Sequence, residues 1–221
     1  MSVSPPVTPS DVRPAVTDHP VWRRLAAAAA LGAPLAELAS VAFGIDHTSD
    51  NDRQLDIIHA HVASFSAMVL FEQACYLLAA VTAVAVALRL ASWRGGRVAA
   101  VGAVLAVIGA SASTSGFGAP LPTLAKPEYR ETALYFLDHL GPIYGPNQAL
   151  AILLQLGLLV MLVALWRSGR VSWPWLAAAA VGLVASAVLG TGRVENVVAM
   201  LVVTAGFVGI ARFLAAPPAD R

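Results

Sequence analysis

The chain has 221 residues, of which 58% are hydrophobic and 12% are charged, whereas soluble domains average about 45–50% apolar and about 25% charged residues. This composition excludes an ordinary soluble domain and predicts a membrane protein. The net charge of +1 does not indicate a nucleic-acid partner, and the single cysteine, Cys75, excludes an internal disulfide and a cysteine-based metal cluster.

Motifs that would name a reaction are missing from the sequence. There is no glycine-rich phosphate loop, no G-x-S-x-G nucleophile elbow, no H-E-x-x-H zinc motif and no C-x-x-C pair. The sequence therefore leaves the cofactor and the catalytic residues unknown, and whether the protein is an enzyme stays open.

Six apolar runs are long enough to cross a hydrocarbon core of about 30 Å, which takes about 20 helical residues. They lie near 24–44, 63–89, 97–119, 147–166, 172–190 and 196–214. Backbone groups in lipid must be paired internally, and the short alternating segments of a barrel are absent, so each run is predicted to be a helix. The predicted fold is all-α: a polytopic integral membrane protein with six transmembrane helices.

Lysine and arginine are unevenly distributed between the two sides of the predicted spans, and positively charged loops resist translocation. If the N-terminus is inside, ten of the fourteen cationic residues are cytoplasmic. These ten are Arg13, Arg23, Arg24, Arg89, Arg94, Arg97, Arg167, Arg170, Arg212 and Arg221. We therefore expect both termini in the cytoplasm and a multi-pass protein of the cell membrane. The Ala-, Val-, Leu- and Arg-rich composition favours a bacterial inner membrane.

Three regions follow from these spans: a disordered cytoplasmic tail over 1–21, a six-helix transmembrane bundle over 22–215, and a cytoplasmic tail over 216–221. The first twenty residues contain five prolines and little apolar surface, which is typical of disorder. An alternative is that Arg23, Arg24 and the run after them form a signal peptide, but the run is long for one and Glu37 interrupts it.

Two patterns concern how the helices pack. The motif WRGGRV at 93–98 recurs as WRSGRV at 166–171, which indicates either a duplicated hairpin or the independent action of membrane rules. Small residues at four-residue spacing predict close helix contacts, either inside the bundle or at a homodimer face. They are Gly102, Ala106 and Ala110 in the third span and Gly182, Ser186 and Gly190 in the fifth.

Glu37 and Glu72 are the two ionisable residues inside predicted spans, where charge is costly and commonly functional. The helical rise places Glu37 roughly 20 Å above Arg24 and Glu72 roughly 25 Å above Arg89, so both belong to the outer half. Other polar residues fall at a similar level, which predicts a polar cavity open to the outer side. These are Ser111 to Ser115, Gln155, Ser186 and Asn196.

His61, Phe65, Met68, Glu72 and Tyr76 follow helical spacing and are expected to form one stripe that runs from the outer surface to this cavity. The stripe suits a proton route or a ligand clamp. The alternative is that the two acids are hydrogen-bonded and only hold the bundle together. The predicted ligand-binding residues are Glu37, His61, Glu72, Tyr76, Gln155 and Asn196.

Two outer loops carry further groups. The helix of the second span is predicted to begin above the membrane, near Asn51. This start places Asp52, Asp56 and His59 on one face, which makes them weak candidates for a metal site without a recognised ligand spacing. The segment 127–140 is predicted to be an amphipathic helix in the outer loop between the third and fourth spans. It would act as a lid or as an interfacial anchor.

Three functions remain open at this point. The preferred one is an outward-facing polar cavity that binds or helps move a small molecule, an ion or a proton, with Pro34 breaking the first helix near Glu37. The second is a membrane-embedded acid/base enzyme for a lipophilic substrate such as a terpenoid or a lipid. The third is an accessory subunit of a larger membrane complex. The expected partners are the lipid bilayer, a small-molecule or ion ligand, and a second copy or a larger complex, but no nucleic acid.

Overall fold

A computed structural model of the chain describes residues 19–45, 48, 50–114, 121–139, 141–188 and 193–217. In these ranges all regular structure is helical, as the sequence predicts. In chain order the elements are α1 (Pro20–Phe43), α2 (Asn51–Ala60), α3 (Val62–Leu90), α4 (Gly96–Thr114), α5 (Leu121–Leu124), a 3-10 turn (Pro127–Tyr129), α6 (Arg130–Asp138), α7 (Gly141–Ser168), α8 (Trp173–Val188) and α9 (Arg193–Ala215).

Five helices in the described ranges are long and apolar enough to cross a membrane. They are Pro20–Phe43, Val62–Leu90, Gly96–Thr114, Ala149–Ser168 and Val194–Ala215, and they coincide with five of the six predicted spans. The remaining span, 172–190, corresponds to α8, whose 16 residues extend about 24 Å and fall short of about 30 Å of hydrocarbon. The count of six therefore remains a prediction.

The long helices form a sequence of neighbours that differs from their order in the chain. In space the order is α7, α4, α3, α1, α9, α8, each packed against the next, whereas α7 and α8 touch only sparsely although one follows the other in the chain. A continuous core of buried side chains, most of them alanine, leucine and valine, joins these helices. As a result α1 and α3, which carry Glu37 and Glu72, lie side by side near the middle.

Glycines set the distance between α4 and α7. A Cβ atom on Gly157 of α7 would lie 2.4 Å from the backbone nitrogen of Ala106, and one on Gly109 of α4 would lie 2.0 Å from the nitrogen of Leu154. Only residues without side chains allow the two backbones to approach this closely. The predicted close contact through the small residues of the third span is confirmed, and it is made within the chain.

Glycines also allow α8 and α9 to pack closely. A Cβ atom on Gly182 would lie 2.7 Å from the nitrogen of Val203, and one on Gly206 would lie 2.3 Å from the nitrogen of Ala179. The prediction for Gly182 is confirmed, while Gly190 lies outside the described residues. These two close contacts between small residues, α4 with α7 and α8 with α9, are called the small-residue seams below. Both are thus made by neighbouring helices of the chain itself.

The two Trp-Arg turns of the internal match are built differently. Trp93 follows the end of α3 at Leu90, whereas Trp166 is inside α7. The left-handed glycine is Gly95 in the first turn and Gly169 in the second, which are not equivalent positions of the match. Because α3 and α4 pack along each other while α7 and α8 do not, the two hairpins are not structural copies.

A small second core covers the N-terminal end of α3. We call α2, α5, the 3-10 turn and α6 the helical cap; it buries Leu55, Ile58 and Ala133 against Phe65 and Val69 of α3. α2 begins at Asn51 as predicted, because the Asp50 carboxylate accepts hydrogen bonds from the first backbone N–H groups of the helix. The sequence predicts that α2 continues into the second span, but the two helices are separated at His61.

Residues 1–18 and 218–221, which hold most of the two predicted tails, lie outside the described residues, as do Asp46, His47 and 115–120.

Candidate functional site

The candidate site lies where α1 and α3 pack together. Near the C-terminal end of α1 the ring of Phe43 stacks on that of Phe71, with centroids 5.6 Å apart. At the middle of α1, a Cβ atom on Gly32 would touch the side chain of Leu78 at 3.0 Å. These contacts set an antiparallel register that places Glu37 of α1 opposite the turn of α3 that carries Glu72.

Four side chains meet at this level, and we call Glu37 and Glu72 the carboxylate pair. The Tyr76 hydroxyl donates a hydrogen bond to Glu72 Oε1, one helical turn away on α3. The Cys75 thiol lies within hydrogen-bonding reach of the Glu37 carboxyl group, and Glu72 is close enough to repel an ionised Glu37. The site therefore joins two acids, a phenol and a thiol from two helices.

No positive charge balances the carboxylate pair among the described residues. The ion pairs found there both involve Arg130, which belongs to the helical cap. Glu37 Oε2 is buried and has no hydrogen-bond partner in the same part of the chain. Two ionised carboxylates without a counter-charge are costly among apolar helices, so this arrangement is suited to hold a proton or a cation.

Pro34 does not break α1, so the predicted discontinuity near Glu37 is wrong. The helix continues from Pro20 to Phe43, with Pro34 buried inside it. A proline in a helix removes one i→i−4 hydrogen bond, which here leaves the Ala30 carbonyl without its usual donor. The neighbouring helices α3 and α9 hold α1 on both sides, and this packing stabilises the helix across the proline.

Gln155 is exposed, so the structure does not turn it towards a shared cavity. The reason is the seam between α4 and α7: Gly157 faces α4, and a residue two positions away points about 200° around the helix. Asn196 is half-buried in the first turn of α9, a helix that packs along α1, and its role in binding stays a prediction.

His61 also lies apart from the acids. It is exposed at the junction of α2 and α3, where its backbone N–H caps the end of α2. Eleven residues separate it from Glu72, which corresponds to about 16 Å of helical rise. The predicted stripe therefore ends at the half-buried Met68 and the buried Phe65, and His61 is not a neighbour of the carboxylate pair.

The hydroxyl groups that share the depth of the acids bond to their own helices. Ser111 and Ser113 donate to the carbonyls of Val107 and Gly109, and Ser186 donates to that of Leu183. Such bonds satisfy a hydroxyl without a tertiary partner. The alternative that these serines anchor the two acids therefore finds no support in the described hydrogen bonds.

Asp52 and Asp56 both bind the guanidinium group of Arg130. Arg130 of α6 approaches Asp56 Oδ1 at 2.6 Å through Nη1 and Asp52 Oδ1 at 2.8 Å through Nη2. His59 is exposed on the same helix. In the described ranges no group of three or more His, Cys, Asp or Glu side chains is arranged to hold a metal ion. The metal hypothesis for Asp52, Asp56 and His59 therefore has no geometric support.

In the predicted segment 127–140 the structure describes a 3-10 turn followed by α6, which ends at Asp138; Leu140 lies outside the described residues. The described part is tied to α2 by the Arg130 ion pairs and by a hydrogen bond of 2.8 Å from Asn51 Nδ2 to Asp138 Oδ1. Its apolar side, including Ala133 and Leu137, belongs to the second core. The segment is thus attached to α2 and α3.

The Arg130 ion pairs give the helical cap a pH dependence. The hydrogen bond from Arg130 holds the pKa of Asp56 below its usual value, so this contribution to cap stability is complete above the ordinary carboxyl pKa and disappears as the pH falls through the lowered one. We expect the amide protection factors of α2 and α6 to fall on acidification.

Asp56→Asn should lower these protection factors at neutral pH by less than tenfold, since the pair is exposed, and should remove most of their acid response. Glu128→Gln, at an exposed position of the 3-10 turn, is the control. Hydrogen exchange corrected for intrinsic rates measures the effect, and an unchanged acid response in Asp56→Asn would contradict the assignment.

Comparison with known protein families, with curated proteins and with solved structures finds no match for the chain. The helices of the chain indicate its class of protein. Several described helices are long and apolar enough to cross a membrane, which indicates a membrane-embedded protein.

Proposed function

We propose that this protein is a six-span membrane protein with both termini in the cytoplasm, and that its carboxylate pair binds a proton or a small cation in the outer half of the bundle. One observation carries the proposal: among the described residues, two acids on adjacent apolar helices lie close enough to repel each other and have no positive partner, and one buried oxygen of Glu37 accepts no hydrogen bond. A bound proton or cation would supply the missing charge.

The helical cap supports the same arrangement. It packs against Phe65 and Val69, within two helical turns of Glu72 on α3. In the proposed orientation the cap lies on the outer side, where the acidic residues of the loops are found, and solvent would reach Glu72 past its edge. A cap at this place would regulate how quickly a proton or cation enters.

Two other functions fit the structure less well. An enzyme with Glu72 and His61 as acid and base would need the two groups within hydrogen-bonding reach, yet about 16 Å of helix separates them. An accessory subunit that docks through its small-residue faces would need these faces to be free, and Gly157 and Gly182 are occupied by helices of the chain.

The test is the thermal stability of the reconstituted protein as a function of pH and of added cation, because a species that binds only the folded state raises the melting temperature. Wild type is compared with Glu37→Gln/Glu72→Gln in choline chloride and in lithium, sodium and potassium chloride. Glu131→Gln, an exposed acid of α6, is the matched control.

We expect the wild type to lose stability relative to the double variant as the pH rises in choline, because the bound proton is released. An alkali cation that reverses this loss in the wild type alone identifies a cation site, and no reversal identifies a proton site. The same pH and salt dependence in the wild type and the double variant would overturn the proposal, since the pair would then bind neither.

A further inference from the structure

The two acids of the carboxylate pair have unequal hydrogen-bond partners. The Tyr76 hydroxyl donates to Glu72 Oε1 from one turn further along α3. Glu37 Oε2 is buried and accepts no hydrogen bond within the part of the chain that the structure describes. The Cys75 thiol lies within hydrogen-bonding reach of the Glu37 carboxyl group, but an S–H group is a weak donor. The two carboxyl groups therefore differ in how well they can carry a negative charge.

The Tyr76 hydroxyl favours the ionised form of Glu72. A phenol keeps its proton at neutral pH, so it can donate a hydrogen bond to a carboxylate oxygen. Hydrogen bonds to a charged oxygen are stronger than those between neutral groups, and a donor to the charged form of an acid favours that form. Tyr76 thus compensates part of the cost of a negative charge on Glu72.

Glu37 has no comparable support for a negative charge among the described residues. The long helices packed along α1 are α3 and α9, and apart from Glu72 their charged residues lie in their first or last turns. These are Arg89 of α3 and Arg193, Glu195 and Arg212 of α9. The nearer cation of α1 itself, Arg24, is about 20 Å of helical rise from Glu37. An unsupported buried carboxylate is costly, so burial favours the protonated form of Glu37.

The site suits a proton better than a divalent metal ion. Calcium and magnesium take about six or more oxygen ligands, which is more than two carboxyl groups and one phenol supply. Among the described residues no group of three or more His, Cys, Asp or Glu side chains is arranged to hold a metal ion. A proton needs a single oxygen atom, and Glu37 Oε2 accepts no other hydrogen in the described ranges.

We propose that the carboxylate pair holds one proton at neutral pH, that Glu37 carries it, and that Tyr76 is a positioning residue that keeps Glu72 ionised. A hydronium ion of the solvent delivers the proton: an O–H bond forms at a carboxylate oxygen of Glu37 and a water molecule is left. The pair then carries one negative charge instead of two, and the phenol stabilises this charge. The inference rests on the proposed function, since it names the ligand of the same site and the acid that holds it.

The test is infrared spectroscopy of the full-length reconstituted protein at neutral pH, with choline as the only added cation. The C=O stretching band of a protonated carboxylic acid is compared in the wild type and in the single variants Glu37→Gln and Glu72→Gln. We expect Glu72→Gln to keep the band, because Glu37 holds the proton. Glu37→Gln should lose the band, because Glu72 remains ionised beside its phenol donor.

Tyr76→Phe tests the positioning role, since it removes the donor and keeps the ring. Glu72 then loses the group that stabilises its charge, so Tyr76→Phe should show a second protonated acid and a stronger band. In Glu37→Gln/Tyr76→Phe the band that Glu37→Gln lacks should return. Tyr135→Phe, at an exposed tyrosine of α6, is the control and should have neither effect. A phenol that bonds to an already protonated Glu72 would instead shift the band in frequency without adding intensity.

A band that survives in folded Glu37→Gln would overturn the assignment, because Glu72 would then hold a proton. If Glu37→Gln does not fold, loss of the band from Glu72→Gln decides against Glu37 in the same way. A Tyr76→Phe protein without added band intensity would show that the phenol does not keep Glu72 ionised.

These results leave the proposed function intact, because the proton would still be held by the pair. A wild type that lacks the band in choline and that an alkali cation stabilises, while Glu37→Gln/Glu72→Gln is not stabilised, would also overturn the inference alone, since the ligand would then be a cation. Only a wild type and a double variant with the same spectrum and the same response to cations would refute the proposed function as well.

Discussion

Gly157→Leu is expected to destroy the packing of α4 against α7. A Cβ atom at position 157 already meets the Ala106 nitrogen at 2.4 Å and the Gly102 carbonyl oxygen at 2.6 Å. Both are backbone atoms, so the helices must move apart to accept any side chain, and the whole seam loses its contacts. We expect a loss of at least about 3 kcal/mol of stability, which lowers the melting temperature by roughly 6–12 °C for a chain of this size.

The measurement is thermal unfolding of the detergent-solubilised protein, read together with its elution as a monodisperse species. Ala149→Leu is the control, because position 149 is exposed on the same helix. Gly157→Ala should give a smaller loss and Gly32→Ala almost none, since only the end of the flexible Leu78 side chain opposes a methyl group there. A Gly157→Leu protein that elutes and melts like wild type would contradict the close packing of α4 against α7 at this glycine.

Ala133→Asp is expected to detach α6 from the helical cap. Ala133 is completely buried in the second core, and a carboxylate placed there has no described basic neighbour inside the core. Burying an unpaired charge costs several kcal/mol, more than the exposed Arg130 ion pairs can offset. We expect amide protection in α2 and α6 to fall by more than tenfold, while α4 and α7 keep theirs.

Hydrogen exchange resolved by peptide measures this effect. Thr132→Asp adds the same charge at an exposed neighbouring position of the same helix and should leave the protection unchanged. If the cap limits access to the carboxylate pair, Ala133→Asp should also speed solvent exchange at Glu72. Equal protection of α6 in Ala133→Asp and Thr132→Asp would show that the second core does not hold the cap.

Hydropathy and helical rise predict a large part of this fold. The boundaries of the apolar helices follow from transfer energies that each residue carries wherever it lies. The expected levels of Glu37 and Glu72 follow from counting residues along each helix from the arginine at the end of its span. The start of α2 could be predicted because Asp50 is a local helix cap.

The partners of each side chain could not be predicted, because they depend on which helices become neighbours. Depth alone groups Gln155 with the acids, yet Gly157 fixes the other face of α7 against α4. Arg130 pairs with carboxylates 74 and 78 residues away in the sequence, a distance that no local pattern reveals. A single cysteine gives no sequence signal beyond the absence of a disulfide, although the position of Cys75 three residues after Glu72 places it on the same side of α3.

Arg23 and Arg89 both contribute to the predicted orientation of the chain, and the structure adds that they meet at the Ala216 carbonyl. No local pattern predicts this contact, because it depends on which helices become neighbours.

The carboxylate pair is tested most directly by infrared spectroscopy of the reconstituted protein at neutral pH with choline as the only added cation. Under these conditions we expect a protonated carboxylic acid, seen as a C=O stretching band that shifts in D₂O. The band should be present in wild type and in Glu131→Gln and absent from Glu37→Gln/Glu72→Gln. Identical spectra for the wild type and the double variant would show that both acids are ionised, and the carboxylate pair would then hold no proton.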